Sequence, residues 1–410
     1  MIDDPRVARD SIAVERSGSG TDGTEPREWP RIIHSLLGVP PTSGNDVRVL
    51  RNGDAIFPAM LRAIEGASAT VDMVTFVYWR GDIAQRFADA LFSAARRGCR
   101  VRVLIDAVGG RKMDERLIER MRDGGADVRW FRPIIDGDVP AIGDVNNRTH
   151  RKILVCDGVV GFTGGVGIAD EWAGDARNER EWRDTHVAVR GPAVAGLEAA
   201  FVDNWVDDVA EPFDAAAEPP ASVAPRGGSE CIVLRDAAET GASDLRVLML
   251  SLIQLAQRRI RIASAYFNPD DQLLDAFCRA AERGVEVQLM FPGEHADKRF
   301  VRLGGEADYG ELLERGVDLR TYERTMLHAK VVTVDGALAS IGSANLNRRS
   351  MEHDDECNLL VFDPEIVAEL DRHFDDDLRH TVDLDPQRWA ERGLFQRLGE
   401  SITGVADRWL

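Results

Sequence analysis

Two histidines in this chain are each followed two residues on by a lysine and seven residues on by an aspartate. The first run is His150-Arg-Lys152-Ile-Leu-Val-Cys-Asp157 and the second is His328-Ala-Lys330-Val-Val-Thr-Val-Asp335. An imidazole has an unperturbed pKa of about 6.5, so it can attack as a base or donate as an acid. Two imidazoles around one phosphorus could share a phosphoryl transfer. One, neutral, attacks phosphorus and forms a phosphohistidine. The other, protonated, gives its proton to the leaving alkoxide and then takes one from an incoming alcohol or water. Two ammonium groups would offset charge on the phosphoryl oxygens. No His/Cys/Asp cluster has zinc-ligand spacing, so neither a metal nor another cofactor is expected. Only four lysines occur, Lys112, Lys152, Lys298 and Lys330, among 51 basic residues. Two of the four sit in these runs, at positions where arginine would not do the same chemistry.

The residues after each lysine are β-formers, and on a strand positions i and i+2 share a face. His150 with Lys152, and His328 with Lys330, are therefore expected side by side. The odd separation turns Asp157 and Asp335 off that face. Each precedes a glycine, the pair of a tight hairpin, so both are assigned to structure. The returning strand would bring Gly164 and Gly165 beside His150, and Ser343 and Asn345 beside His328. The glycines would let backbone approach a phosphate, and Ser343 and Asn345 would add neutral donors. A nucleophilic histidine also needs an acceptor on its far nitrogen. The aligned halves offer Asp184 for the first half and Glu356 for the second.

The surrounding chain repeats in blocks of the same order. Val71-Asp-Met-Val-Thr-Phe-Val-Tyr78 echoes Ile260-Arg-Ile-Ala-Ser-Ala-Tyr-Phe267, and Arg97-Gly-Cys-Arg-Val-Arg-Val-Leu104 echoes Arg283-Gly-Val-Glu-Val-Gln-Leu-Met290. Strand and helix patterns alternate: Val71 to Tyr78 as a strand, Ile83 to Arg97 as a helix stopped by Gly98, Val101 to Asp106 as a strand. The expected fold class is α/β. Two duplicated α/β/α lobes with mixed sheets would be related by a pseudo-two-fold, with the active site at the lobe interface. The expected divisions are a polar tail over 1–44, a first lobe over 45–209, a linker over 210–229, a second lobe over 230–385 and an amphipathic helix over 386–410. Within the tail, Trp29, Ile32, Ile33, Leu36 and Leu37 have helical spacing. That segment could dock on the core or on a membrane surface.

The bulk numbers exclude several classes. A length of 410 residues suits two domains, and apolar and charged fractions of 44% and 30% suit a globular protein. The formal charge of −19 repels DNA and anionic lipid in bulk, so no nucleic-acid partner is expected. The five cysteines lack pairing or ligand spacing and read as reduced core residues. No stretch is long and apolar enough to span a bilayer, and the acidic N-terminus does not resemble a signal peptide. A cytoplasmic protein, peripheral at the inner face of the cell membrane, is expected.

The two runs resemble the signature of the phospholipase D superfamily. Asn52-Gly53, Ala94-Ala-Arg-Arg-Gly98, Phe131-Arg-Pro133, Asn147-Arg-Thr-His-Arg-Lys152, Phe162-Thr-Gly-Gly165, Trp182-Arg-Asp-Thr185, Tyr266-Phe267, Met326-Leu-His-Ala-Lys330 and Gly342-Ser-Ala-Asn-Leu-Asn-Arg-Arg-Ser350 resemble its bacterial cardiolipin synthase branch. The resemblance covers about Asp46 to Phe374. It implies phosphatidyl transfer between glycerophospholipids, with phosphatidylglycerol or a similar lipid as substrate. Hydrolysis of a phospholipid, or less readily of nucleic acid, is the alternative that the same residues would catalyse. Members whose first histidine attacks point to His150 as nucleophile. Two departures stand out. The chain resembles short forms without N-terminal transmembrane helices, and Gly167 stands where the branch often has Asn.

Overall fold

The structure, a computed structural model, describes residues 25–133, 147–208, 224–237, 243–297 and 309–385. Most of the expected linker and the whole expected C-terminal helix lie outside these residues.

The first half contributes strands β1 (Thr42–Arg51), β2 (Thr70–Thr75), β3 (Arg100–Asp106), β4 (Asp127–Phe131), β5 (Arg148–Thr149), β6 (Ile153–Cys156), β7 (Val160–Gly164) and β8 (Thr185–Arg190). The second contributes β9 (Ser229–Asp236), β10 (Arg259–Ser264), β11 (Phe267–Asn268), β12 (Glu286–Pro292), β13 (Asp318–Tyr322), β14 (Lys330–Val334), β15 (Leu338–Gly342), β16 (Leu346–Asn347), β17 (Asp354–Phe362) and β18 (Thr381–Asp383). The spatial order is β4-β3-β2-β6-β7-β8-β1-β9-β17-β15-β14-β10-β12-β13-β18. Read outward from the centre, both halves run in the same order, as a duplication requires. The expected pair of sheets is thus one continuous mixed sheet. Its seam is the antiparallel pair β1·β9, where Thr42 faces Cys231 and Asn45 faces Ser229.

Apolar periodicity explains what covers the sheet. In the first lobe, Phe57, Phe87 and Leu91 pack from helices onto Val71, Val101 and Val103. In the second, Leu252, Leu273 and Phe277 pack onto Ile260, Ile262 and Leu289. A third cluster crosses the seam. Leu197 and Phe201 of helix Val194–Asp208 and Leu370 of helix Pro364–Leu378 share one core with Val187, Val233 and Leu359. Parting the lobes would expose this core, so the two halves are held as one unit.

The Trp29–Leu37 segment is helical, closed by Gly38 in the left-handed conformation. Its apolar face is used internally: Trp29 and Ile33 are fully buried in the second-lobe core, and Leu36 is the large apolar side chain left exposed. The docking alternative therefore describes this helix, which keeps little apolar surface for a bilayer. Among the described residues no helix is long and apolar enough to cross a membrane.

The hairpins form at Asp157-Gly158 and Asp335-Gly336, with all four residues at positive φ between 52° and 69°. Each aspartate does more than turn the chain. Asp157 accepts hydrogen bonds from the amides of Ser68, Ala69 and Thr70. Asp335 accepts from those of Gln257, Arg258 and Arg259. Both carboxylates thus anchor the chain entering the neighbouring strand, β2 or β10, and neither faces the site.

Candidate active site

The motif histidines do not lie on strands of their own hairpins. His150 and Lys152 precede β6, and His328 precedes β14, which Lys330 opens. Each approach segment instead pairs with the other lobe. β5 runs parallel to β17, with Arg148 facing Asp354 and Thr149 facing Asp355. The His150 amide continues the ladder to the Asp355 carbonyl at 2.9 Å. The second copy does the same: Leu327 bridges to Arg183, and the His328 amide donates to the Arg183 carbonyl at 2.7 Å. One step further along each ladder, the register sets His150 against Glu356 and His328 against Asp184.

The side chains follow the register. His150 Nδ1 lies 2.9 Å from Glu356 Oε1, and His328 Nδ1 lies 2.8 Å from Asp184 Oδ2. This corrects the same-half assignment made from the aligned repeats: each carboxylate serves the histidine of the opposite lobe. Copies align by sequence, whereas the partners are chosen by pairing across the seam. An ionised carboxylate only accepts, so each Nδ1 carries the proton and each Nε2 a lone pair. Asp184 is held further by the Trp172 indole at 2.8 Å and by the Thr185 amide at 2.7 Å. Asn52, at φ 61°, exchanges backbone and side-chain hydrogen bonds with Asp184, which gives the Asn52-Gly53 pair its purpose. Arg151, between the motif His and Lys, is buried and donates to the carbonyls of Ala200 in its own lobe and of Asp236 and Glu356 in the other.

Burial dominates the electrostatics. It pulls both histidines down to about 4; for His150 it outweighs Glu356, and for His328 it is reinforced by Lys330. Burial also lowers Lys152 to about 8 and Lys330 to about 7. It pushes the Asp184 and Glu356 carboxyls up, but pairing with a histidine and the charge of a nearby lysine outweigh it and keep both low. The free site thus holds two neutral imidazoles, two ionised carboxylates and two amines able to carry charge. The lysines differ in position. Each Nζ donates to the carbonyl of its own motif histidine. Lys330 Nζ also lies over the His328 ring, 2.9 Å from Nδ1 and 3.2 Å from Nε2. His150 Nε2 has no such neighbour among the described residues.

Both histidines open into one cleft, with Lys152, Asn345 and Asp354 also in its wall. The rest of the wall is largely aromatic. Phe76 meets His150 edge-on at 5.2 Å, and Trp172 and Trp182 flank His328 at 5.1 and 5.5 Å. Trp79 and Tyr266 extend this face. Sequence reasoning did not single out this aromatic wall as part of the site, nor Asp354. Among the described residues, His150, Asp354 and Glu356 are the one group with donor atoms close enough, within 4.8 Å, to suggest a metal. Arg349 on Asp354, at 3.1 Å, and nearby Lys152 already bring positive charge there.

Three of the four expected phosphate-binding residues have other duties. A Cβ on Gly165 would fall 2.2 Å from Asp184 Oδ1, and one on Gly164 would fall 2.4 Å from His186 Nδ1. The Gly165 amide is spent on the Thr185 carbonyl. Gly165 makes room for the Asp184 carboxylate, and Gly164 for His186 and the Thr185 carbonyl. Ser343 is fully buried, and its hydroxyl accepts from the Cys357 amide on the strand that carries Glu356. Asn345 alone of the four lines the cleft. At the equivalent Gly167 a Cβ would sit 2.7 Å from Val77 Cβ, so the first half has no room for a matching donor.

Two copies of one catalytic half, joined across a seam and sharing one cleft, define a phosphodiester-transferring enzyme of the phospholipase D type. The comparisons sharpen this. The family described as cardiolipin synthase, PLD-like domain, matches residues 60–188 and 249–378, one match per lobe. The chain is 34% identical over 403 residues to a cardiolipin synthase of Geobacillus kaustophilus (strain HTA426), covering 96% of this chain and 77% of that protein. It is 34% identical over 360 residues to cardiolipin synthase 2 of Bacillus anthracis, covering 87% and 69%. The crystal structure of phosphatidylserine synthase from Haemophilus influenzae Rd KW20 superposes with a TM-score of 0.70 at 16% identity, over 92% of this chain and 96% of that one, a likeness of fold. The chain belongs to the cardiolipin synthase family of phospholipase D-like proteins and is a phosphatidyltransferase of that type.

Proposed function

We propose that this enzyme transfers a phosphatidyl group from one phosphatidylglycerol to a hydroxyl of another, through a phosphohistidine on His150. His150 Nε2 attacks phosphorus as the bond to the leaving glycerol oxygen breaks, and His328 gives that oxygen a proton. His328 then takes the proton of the incoming hydroxyl, whose oxygen attacks phosphorus as the P–N bond breaks. One observation favours this division of labour: Lys330 Nζ lies over the His328 ring, 2.9 Å from Nδ1 and 3.2 Å from Nε2, whereas among the described residues no lysine lies within hydrogen-bond distance of the His150 ring nitrogens. A lysine lowered to about 7 can supply His328 with the proton that the step consumes. An anionic phosphodiester in the cleft would also offset the Lys330 charge that lowers His328, so His328 becomes more basic when substrate is bound. The Trp79, Trp172 and Tyr266 wall suits the apolar side of a glycerolipid. The enzyme would meet this substrate as a peripheral protein at the inner face of the cell membrane.

The test is product analysis. Purified enzyme with vesicles of labelled phosphatidylglycerol is expected to release glycerol and form a lipid with two phosphatidyl groups. Phosphatidic acid as the sole labelled product would overturn the transferase reading in favour of hydrolysis.

A further inference from the structure

Asp354 is a buried carboxyl in the cleft wall with no role in the scheme above. In the duplication it takes the place of Trp182, two residues before the orienting carboxylate. It is held firmly, because β17 pairs with β5 at this residue. Glu356 lies two residues on, so both carboxyls project from one face of the strand. Oxygen atoms of the two and a nitrogen of His150 lie within 4.8 Å of one another. Its own two oxygens differ. Oδ2 accepts from Arg349 Nε at 3.1 Å, whereas Oδ1 is buried with no partner.

Two carboxyls on one face of a buried strand do not both ionise readily. Glu356 is committed as the anion that orients His150, so Asp354 is the one that keeps its proton. Burial and the Glu356 charge raise it to about 8, against the opposing pull of Arg349. With Oδ2 accepting from Arg349, the proton belongs on Oδ1, the atom without a partner.

We propose that Asp354 acts as a neutral acid whose carboxyl, turned about its Cβ–Cγ bond into the cleft it lines, donates a hydrogen bond to a non-bridging oxygen of the phosphoryl group attacked by His150. This rests on the phosphatidyl-transfer reading and adds a catalytic donor to it. A carboxylate at this point would repel the phosphodiester, and a neutral carboxyl would hold it. The first lobe has no donor at Gly167, and Asp354 supplies one beside His150 from the other side of the seam. The charged and titratable groups around it are Glu356 on its own strand, Arg349 on the short helix Arg348–Glu352, His150 and Lys152 after β5, and Asp106 at the end of β3.

The test compares Asp354→Asn, Asp354→Ala and the parent enzyme. Sulfate is the probe, since it keeps one charge across the range. Its binding is measured by calorimetry between pH 6 and pH 9. The amide keeps a donor and cannot ionise. At pH 6.5 Asp354→Asn is expected to bind sulfate about as well as the parent, and Asp354→Ala about tenfold more weakly. As pH rises through 8, the ratio of Asp354→Asn affinity to parent affinity is expected to climb about tenfold. Lys330 loses charge in all three proteins; the Asp354 charge raises Lys152, so above pH 8 the parent keeps more Lys152 charge than the Asn enzyme, an effect that works against the expected climb and cannot produce it. Equal binding by the Ala and Asn enzymes at pH 6.5, or a ratio constant from pH 6 to 9, would overturn the proposal. If the Ala enzyme does not fold, the Asn-to-parent ratio still decides. No turnover is involved, so failure here is distinct from failure of the product assay.

Discussion

Replacing His150 with alanine is expected to lower phosphatidyl transfer by on the order of 10⁴-fold or more, whatever the leaving group. Without Nε2 the His150 P–N bond cannot form, and His328 is committed to the acid and base steps. The matching change at His328 should behave differently. An alkoxide leaving group needs a proton, so with phosphatidylglycerol the His328→Ala enzyme should lose about 10²- to 10⁴-fold. With phosphatidyl-p-nitrophenol the leaving group needs no acid. The His328→Ala enzyme should then release one nitrophenol per chain in a fast burst and stall, because the second step lacks its base. Stopped-flow absorbance reads the burst directly. A burst from the His150→Ala enzyme, with none from His328→Ala, would reverse the two roles.

The second large effect comes from the crossing of the carboxylates. Glu356→Gln removes the acceptor from His150 Nδ1, and Asp184→Asn removes it from His328 Nδ1. A side-chain amide can offer its NH₂ to Nδ1, which favours the tautomer with the proton on Nε2. By analogy with triads of this kind, each loss should be about 10²- to 10⁴-fold with phosphatidylglycerol. The pattern matters more than the size. Glu356→Gln should resemble the His150 variant and be poor with both substrates. Asp184→Asn should resemble the His328 variant and recover its burst with the nitrophenyl lipid. The opposite pattern would mean that each carboxylate serves its own half. In the structure, 144 and 206 residues separate the partners in sequence, and each pair lies across the seam.

The two motifs, the duplication, the Asp-Gly hairpins and the identity of Asp184 and Glu356 were all legible from residue types and spacing. Their legibility has a physical basis: His-x-Lys spacing, hairpin turns and the alternation of apolar residues are local properties. The crossing was not legible, because it depends on β5 pairing with β17 and Leu327 with Arg183, contacts made across the seam. Gly164 and Gly165 were assigned to phosphate for a sound local reason, yet their neighbours turned out to be His186 and the Asp184 carboxylate. Asp354 left no mark in a chain with 70 acidic residues. The aromatic wall was equally silent. Trp172 follows no periodic pattern, and it meets His328 only because the loop after β7 folds back over the site. Helix Trp29–Leu37 shows the limit of amphipathicity as a signal, since an apolar face states that it will be covered but not by what.

If two half-motifs build one active site with His150 as its nucleophile, each chain carries one covalent adduct. The most direct measurement is rapid quench of the His328→Ala enzyme with phosphatidyl-p-nitrophenol, followed by mass spectrometry of its peptides under alkaline conditions. One phosphatidyl group per chain, carried on the peptide containing His150 and absent from the His150→Ala enzyme, is the predicted result. Modification at any other residue, two groups per chain, or no covalent adduct alongside a normal burst would contradict it.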